Sequence, residues 1–202
     1  PNVTFPSALR TVLRQDPDIV LVGEIRDEET AKIAIEAGQT GHLVLSTIHT
    51  IDAIEAITRM RKMGISDYDI SATVVTTISQ RLVRRLCDKC KRPHVLTEDE
   101  LKYIEKIQKI TGETYDIENG TLFEPVGCEF CDDIGYYERI AVIEVLCMDD
   151  YLKYMISEGK SSIEIKKYAM ENTDYKPLIS DGIKKVLSGI TTIDELKRKI
   201  IT

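Results

Sequence analysis

Two hydrophobic rhythms alternate along the first third of the chain. Leu9, Val12 and Leu13 follow the i, i+3, i+4 spacing of one helical face, with Ser7 available as a cap ahead of them. Asp16-Pro17-Asp18 breaks that helix. Ile19-Val20-Leu21-Val22 leaves no polar position, the pattern of a strand buried on both faces of a parallel sheet. Gly23-Glu24 ends it. Asp27 is placed to cap a second helix, with Ala31, Ala34, Ile35 and Ala37 inward and Gly38 as the stop. His42 to Ser46 repeats the strand pattern around Leu43, Val44 and Leu45. Asp52 then opens a third helix carrying Ala53, Ile54, Ile57, Met60 and Met63, closed by Gly64. Strand, helix, strand, helix in this order predicts an α/β fold on a parallel sheet with right-handed crossovers.

Residues 70–86, rich in Val, Thr, Ile and Arg, read as a further helix. The rhythm fails over residues 87–131, which hold two cysteine pairs, a helical insert with Leu101, Ile104, Ile107 and Ile110, and an irregular tract from Thr111 to Pro125. Ala141 to Leu146 is a strand candidate. Helical spacing returns over 151–158, 163–171, 178–187 and 193–201, and Thr192 to Glu195 fits a capping box for the last of these. Three consecutive segments follow: a core portion over 1–86, a cysteine-bearing subdomain over 87–147 and a helical region over 148–202.

At 202 residues, 43% hydrophobic and 30% charged, the composition is that of a globular protein rather than a disordered or fibrous one. No apolar run is long enough to span a bilayer. No charged-then-apolar leader is visible, and the first residue is Pro1, so the chain is expected to be a portion of something longer. The net charge of −7, the absence of Trp and the lack of aromatics interleaved with the basic cluster Arg81, Arg84, Arg85, Lys89, Lys91 and Arg92 argue against nucleic acid as a partner. That cluster reads as a solvated face or a contact patch. Cys147 lies in an apolar run and is expected to be a small buried hydrophobe.

In open parallel sheets, ligands bind beyond the carboxyl ends of the strands. Glu24 stands at such an end, where a carboxylate can hold a metal-bound water or orient a water for attack on a γ-phosphate. The next strand delivers Ser46, Thr47, His49 and Thr50 to the same edge, where a histidine can donate to a phosphate oxygen.

The segment Leu13–Asp27 resembles the Walker B segment of the ATPases of type II secretion and type IV pilus assembly, and Thr40–Thr50 resembles their histidine box. Gln80–Cys87 and Asp181–Val186 also fit, so the resemblance runs along nearly the whole chain. It implies a portion of a RecA-like core followed by a tetracysteine subdomain, and a hexameric ring hydrolysing ATP with Mg²⁺ between subunits. It also implies cytoplasmic placement against the inner membrane through a platform protein. On the matching positions it makes Glu24 the Walker B glutamate and His42 and His49 the box histidines. Arg26 and Asp27 match the continuation of Walker B, and Glu24, Arg26 and Thr47 fall on the nucleotide side. The pattern departs in two places: Ile51 stands where the family often has a polar residue, and Glu138 and Ala141 replace family glycines, which argues against a left-handed turn there.

A phosphate cradle of the Gly-x-x-x-x-Gly-Lys-Ser/Thr type is not found. Gly159-Lys160-Ser161 is preceded by Tyr154 where the first glycine would stand, and its upstream residues read as helix. The family's P-loop precedes Walker B and is expected upstream of Pro1, so this portion alone is expected to bind and hydrolyse ATP poorly.

Cys87-x-x-Cys90 and Cys128-x-x-Cys131 are two knuckles suited to one tetrahedral Zn²⁺. A redox motif needs only one such pair, and a reducing compartment disfavours disulfides. A closed four-thiolate site is structural, with no open position for water. The family carries the same element. The alternative reading is a zinc-stabilised protein-interaction module without nucleotide chemistry.

Overall fold

The computed structural model describes residues 3–118 and 120–200; Ile201, at the end of the last predicted helix, lies outside them. In chain order the elements are α1 (Phe5–Leu13), β1 (Ile19–Val22), α2 (Glu28–Gln39), β2 (Leu43–Ser46), α3 (Glu55–Lys62), α4 (Asp67–Thr73), β3 (Thr76–Leu86), β4 (Arg92–Pro93), α5 (Glu98–Thr111), β5 (Phe123–Glu124), β6 (Tyr136–Cys147), α6 (Asp150–Ser157), α7 (Ser162–Asn172), α8 (Leu178–Leu187) and α9 (Ile193–Lys199). They fall into two compact units, residues 1–77 with 146–173, and 78–145 with 174–202. The C-terminal helical stretch is therefore shared: α6 and α7 belong to the first unit, α8 and α9 to the second.

In the first unit β1 and β2 pair in parallel, with Ile19 opposite Leu43 and Val22 opposite Ser46. Asp27 caps α2 through the Thr30 amide, and Asp52 accepts the Glu55 amide at 2.8 Å at the start of α3. Thr4, rather than Ser7, caps α1; Ser7 is the reciprocal partner of its capping box. Gly38 lies inside α2, where a Cβ would meet Thr73 Cγ2 at 2.4 Å, so it allows α2 and α4 to approach closely. Gly41, at φ +101°, makes the turn into β2.

The expectation that β1 is buried on both faces is overturned. Val20 and Val22 pack against Leu9 and Ile33, but Ile19 and Leu21 are 61% and 75% exposed. Among the described residues helices cover one face of this pair of strands, so the strand alternates although its sequence does not.

The helix expected over 70–86 is also corrected. α4 stops at Thr73, Val74 turns extended at ψ 119°, and β3 runs from Thr76 to Leu86. The run Val74 to Ile78 is entirely β-branched, and its stiff side chains favour a pleated strand. Ser79 and Val83 turn inward, Ile78 and Leu82 outward.

β3 pairs with β6, which begins earlier than expected. Cys147, the last residue of β6, belongs to the first unit and is exposed rather than core. The second unit has its own core. Val83, Ile104, Ile107, Val142, Ile183 and Leu196 form the core with no measurable exposure. Burying each side chain contributes about 2 kcal/mol. Asp181 accepts the Ile143 amide at 2.8 Å, tying α8 to β6, and Gly182 lets α8 approach Leu196. The Glu195 carboxylate is fully buried between Arg84 and Arg198, at 2.9 and 2.8 Å. Burial pushes its pKa up, but the hydrogen bonds from Arg198 and Arg84 win and hold it at about 2. The basic cluster is thus largely engaged within the fold: Arg84 also lies over Tyr136, Arg85 and Lys91 pair with Asp88, and Lys89 lies over Phe130. Glu138 adopts φ +66°, so the left-handed turn argued against by the loss of glycine is present all the same.

Candidate functional site

The parallel register of β1 and β2 brings Gly23-Glu24 and Thr47 to one rim at the carboxyl ends of the strands. Two bonds lock the exits together: the Thr47 hydroxyl donates to the Gly23 carbonyl at 2.7 Å, and the Ile25 amide donates to the Thr47 carbonyl at 2.9 Å. Glu24 sits on this rim at 22% exposure. One carboxylate oxygen accepts from Arg26 Nη2 at 2.6 Å, and the other meets His49 Nε2 at 2.9 Å. The Arg26 hydrogen bond, aided by the charges of Arg26 and His49, holds the Glu24 carboxyl below the usual carboxylate range against a smaller opposing effect of burial. Arg26 and His49 are 76% and 87% exposed, so both point into solvent around a carboxylate that is ionised at neutral pH.

The rim does not gather every predicted residue. His42 precedes β2 and stands at the amino end of the strand, where its Nδ1 lies 3.0 Å from the Ala37 carbonyl and 3.1 Å from Thr40 Oγ1. A four-residue strand is about 13 Å long, so His42 and His49 occupy opposite ends of β2. Asp27 caps α2. The two arginine- and lysine-bearing turns of α3 were not singled out from sequence: Arg59 and Lys62 line a hollow of about 160 Å³ together with His49 and Glu55. Their i, i+3 spacing on one basic helix end was the available signal. Gly159-Lys160-Ser161 is confirmed as no phosphate loop. Gly159 is left-handed after α6, the Lys160 carbonyl accepts from Arg61 at 2.8 Å, and Ser161 caps α7.

All four predicted cysteine sulfurs lie within 4.8 Å of one another. The Cys87–Cys128, Cys90–Cys131 and Cys128–Cys131 separations are 4.0, 3.8 and 3.7 Å, and none of the four is in a disulfide. A tetrahedron with metal–sulfur bonds of ~2.3 Å has edges of about 3.8 Å, so the cluster fits Zn²⁺. Burial raises the Cys90 thiol to about 11. Cys131 is brought down to about 7, because amide hydrogen bonds from Cys128 and Gly135 outweigh burial there.

The fold is mixed α/β, with a carboxylate at the edge of a parallel strand pair in one unit and a tetracysteine cluster in the other. The pilus retraction motor PilT with bound ADP shares the fold over 96% of this chain and 43% of its own, at TM-score 0.63 and 23% identity. The Legionella pneumophila ATPase DotB does so over 96% and 42%, at TM-score 0.63 and 22% identity. The family model described as type II/IV secretion system protein matches residues 1–198. The chain is 46% identical over 200 residues to the type IV pilus assembly ATPase PilB of Thermus thermophilus, covering 99% of this chain and 22% of that protein. It is 41% identical over 197 residues to the type II secretion system protein E of Dickeya dadantii, covering 98% and 37%. The chain belongs to the type II/IV secretion system protein family, and it spans between a fifth and two-fifths of the length of these relatives.

Among the described residues no helix is long and apolar enough to cross a membrane.

Proposed function

We propose that this chain is the Walker B and histidine-box portion of a hexameric ATPase that powers type IV pilus assembly or type II secretion. The observation that carries the reading is the Glu24–His49 contact at 2.9 Å across the rim of two parallel strands. An ionised carboxylate at that place is suited to orient the attacking water or a Mg²⁺-bound water, and His49 and Arg26 are suited to meet phosphate oxygens as Glu24 turns to its water. Thr47 fixes the rim's backbone through Gly23. His42, with its ring at the turn from α2 into β2, acts on the placement of that strand rather than at the rim. The β- and γ-phosphates need a P-loop, and its amides and lysine belong to sequence outside these 202 residues. The chain alone is therefore inactive. The ring places the rim near a neighbouring subunit, in the cytoplasm beneath an inner-membrane platform protein. The cysteine cluster holds structural Zn²⁺, which supplies four thiolate bonds and no chemistry on the nucleotide.

The test is Glu24→Gln in the full-length protein. ATP turnover is expected to fall by roughly 100-fold or more with Mg-ATP still bound. Turnover at the wild-type rate would overturn the assignment. For the isolated chain, calorimetry with Mg-ATP is expected to show no micromolar binding; clear micromolar binding would contradict the missing cradle.

A further inference from the structure

His94, directly after β4, lies inside the second unit between two carboxylates. Its Nε2 is 2.8 Å from Glu100 Oε2 on the first turn of α5, and its Nδ1 is 3.6 Å from Glu124 Oε2 on β5. The His94 amide donates to the Leu122 carbonyl at 2.9 Å, next to the antiparallel pairing of β4 with β5. The same Glu100 oxygen accepts from the Thr97 amide and hydroxyl, both at 2.9 Å, in the capping box of α5. One imidazole therefore joins the start of α5 to the β4–β5 pair.

This geometry suits one charge state. A neutral imidazole has one N–H and one lone pair, whereas an imidazolium donates from both nitrogens. With both nitrogens turned to carboxylates, a neutral ring sets its lone pair against one of them. The ring borders a cavity of about 210 Å³ whose other charged lining groups, among the described residues, are Glu100 of α5, Glu124 of β5 and Asp194 of α9. Tyr136 of β6 also lines it, with its hydroxyl 2.9 Å from Thr192 Oγ1. The nearby cations belong to β4 and its approach: Lys91 lies over the Phe123 ring, and Arg92 stands opposite Glu124 in the ladder. The hydrogen bond to Glu100 raises the His94 pKa above its ordinary 6.5 against the opposing effect of burial, and the charges of Glu100 and Glu124 add to the rise.

We propose that His94 is a proton-operated clasp: the imidazolium holds α5 and β5 together, and the neutral ring keeps Glu100 but releases Glu124. Release falls on that side because Glu100 is also held by its capping box, whereas Glu124 is more distant and 51% exposed. β4 and β5 pair over two residues each, and a ladder that short is marginal by itself. With the folded pKa raised, the clasp is fully closed below about pH 6.5 and opens as pH rises through the folded value.

The test uses the 202-residue chain as it stands, whose three histidines give ring signals that NMR can assign one by one. His94 is expected to titrate above its value in the urea-unfolded chain. Glu100→Gln and Glu124→Gln are each expected to lower it, Glu100→Gln the more because its oxygen is nearer; glutamine still completes the capping box. Amide hydrogen exchange, corrected for intrinsic rates, reads the clasp itself. As pH rises through the His94 titration, the His94 amide is expected to lose protection several-fold. The Leu101 amide, which donates to the Thr97 carbonyl in α5, is expected to keep its own. In His94→Gln the protection of that position is expected to stay constant over the same range. If His94→Gln does not fold, the wild-type titration and exchange decide alone. A folded-state titration at or below the unfolded value, or His94 amide protection that stays flat through the titration, would overturn the clasp.

Discussion

The rim at Glu24 and the cluster at Cys131 each join two distant stretches of chain, by opposite means. At the rim the backbone is locked by strand register and by Thr47, while the functional side chains stand in solvent. Exposed ion pairs of this kind contribute little to stability and are screened by salt. At the cysteines Cys87 and Cys131 are buried, the Cys128 amide donates to the Cys131 sulfur, and the Cys87 amide donates to the Gly135 carbonyl across the two knuckles. The first arrangement leaves its charges free to exchange partners. The second resists exchange, because its thiols are partly or fully buried and a backbone hydrogen bond ties one knuckle to the other.

The largest effect expected to separate the two is metal removal. Chelation should strip Zn²⁺ from the chain and abolish hydrogen-exchange protection around Cys87–Cys90 and Cys128–Gly135, with β1 and β2 keeping theirs. Unchanged protection at the knuckles would mean that the cluster does not depend on metal. Next comes Glu195, a buried charge of the second unit. Glu195→Gln leaves Arg84 and Arg198 without their anion and should cost roughly 3–5 kcal/mol in denaturant unfolding. Its pKa falls from 4.5 to about 2 on folding, so its contribution is fully present above about pH 4.5 and is lost as pH drops toward 2. That amounts to a few kcal/mol, and the same titration should be absent in Glu195→Gln. A wild-type chain equally stable at pH 3 and pH 7 would remove Glu195 from the account. The smallest effect is Glu138→Gly. A left-handed non-glycine residue costs about 1 kcal/mol, so restoring glycine at φ +66° should raise the melting temperature slightly; a lower one would mean that the Glu138 side chain contributes more than the strain costs.

Much of the fold was legible locally. The helices from α5 onward announce themselves by apolar spacing, and α9 by its Thr192 cap; the caps at Thr97, Asp149 and Ser161 emerge from the structure. The four cysteines were legible because each knuckle is a short motif. β3 was misread because a β-branched run interleaved with arginine supports either period until its partner strand is known. The exposure of Ile19 and Leu21 was hidden for a related reason: burial depends on what covers a face, and an all-apolar run does not encode that.

The sequence by itself determined the strand-helix order, the acid at the end of β1, the histidine after β2 and the thiol set, because turns, caps and ligand spacings act within a few residues. Only the tertiary structure decided that His49 and not His42 meets Glu24, that Arg84 answers Glu195 at a separation of 111 residues, and that the Cys87 amide reaches the Gly135 carbonyl. Those choices follow from strand register, from the neutralisation of a buried charge and from the close approach of two backbones, each of which exists only once distant segments have packed.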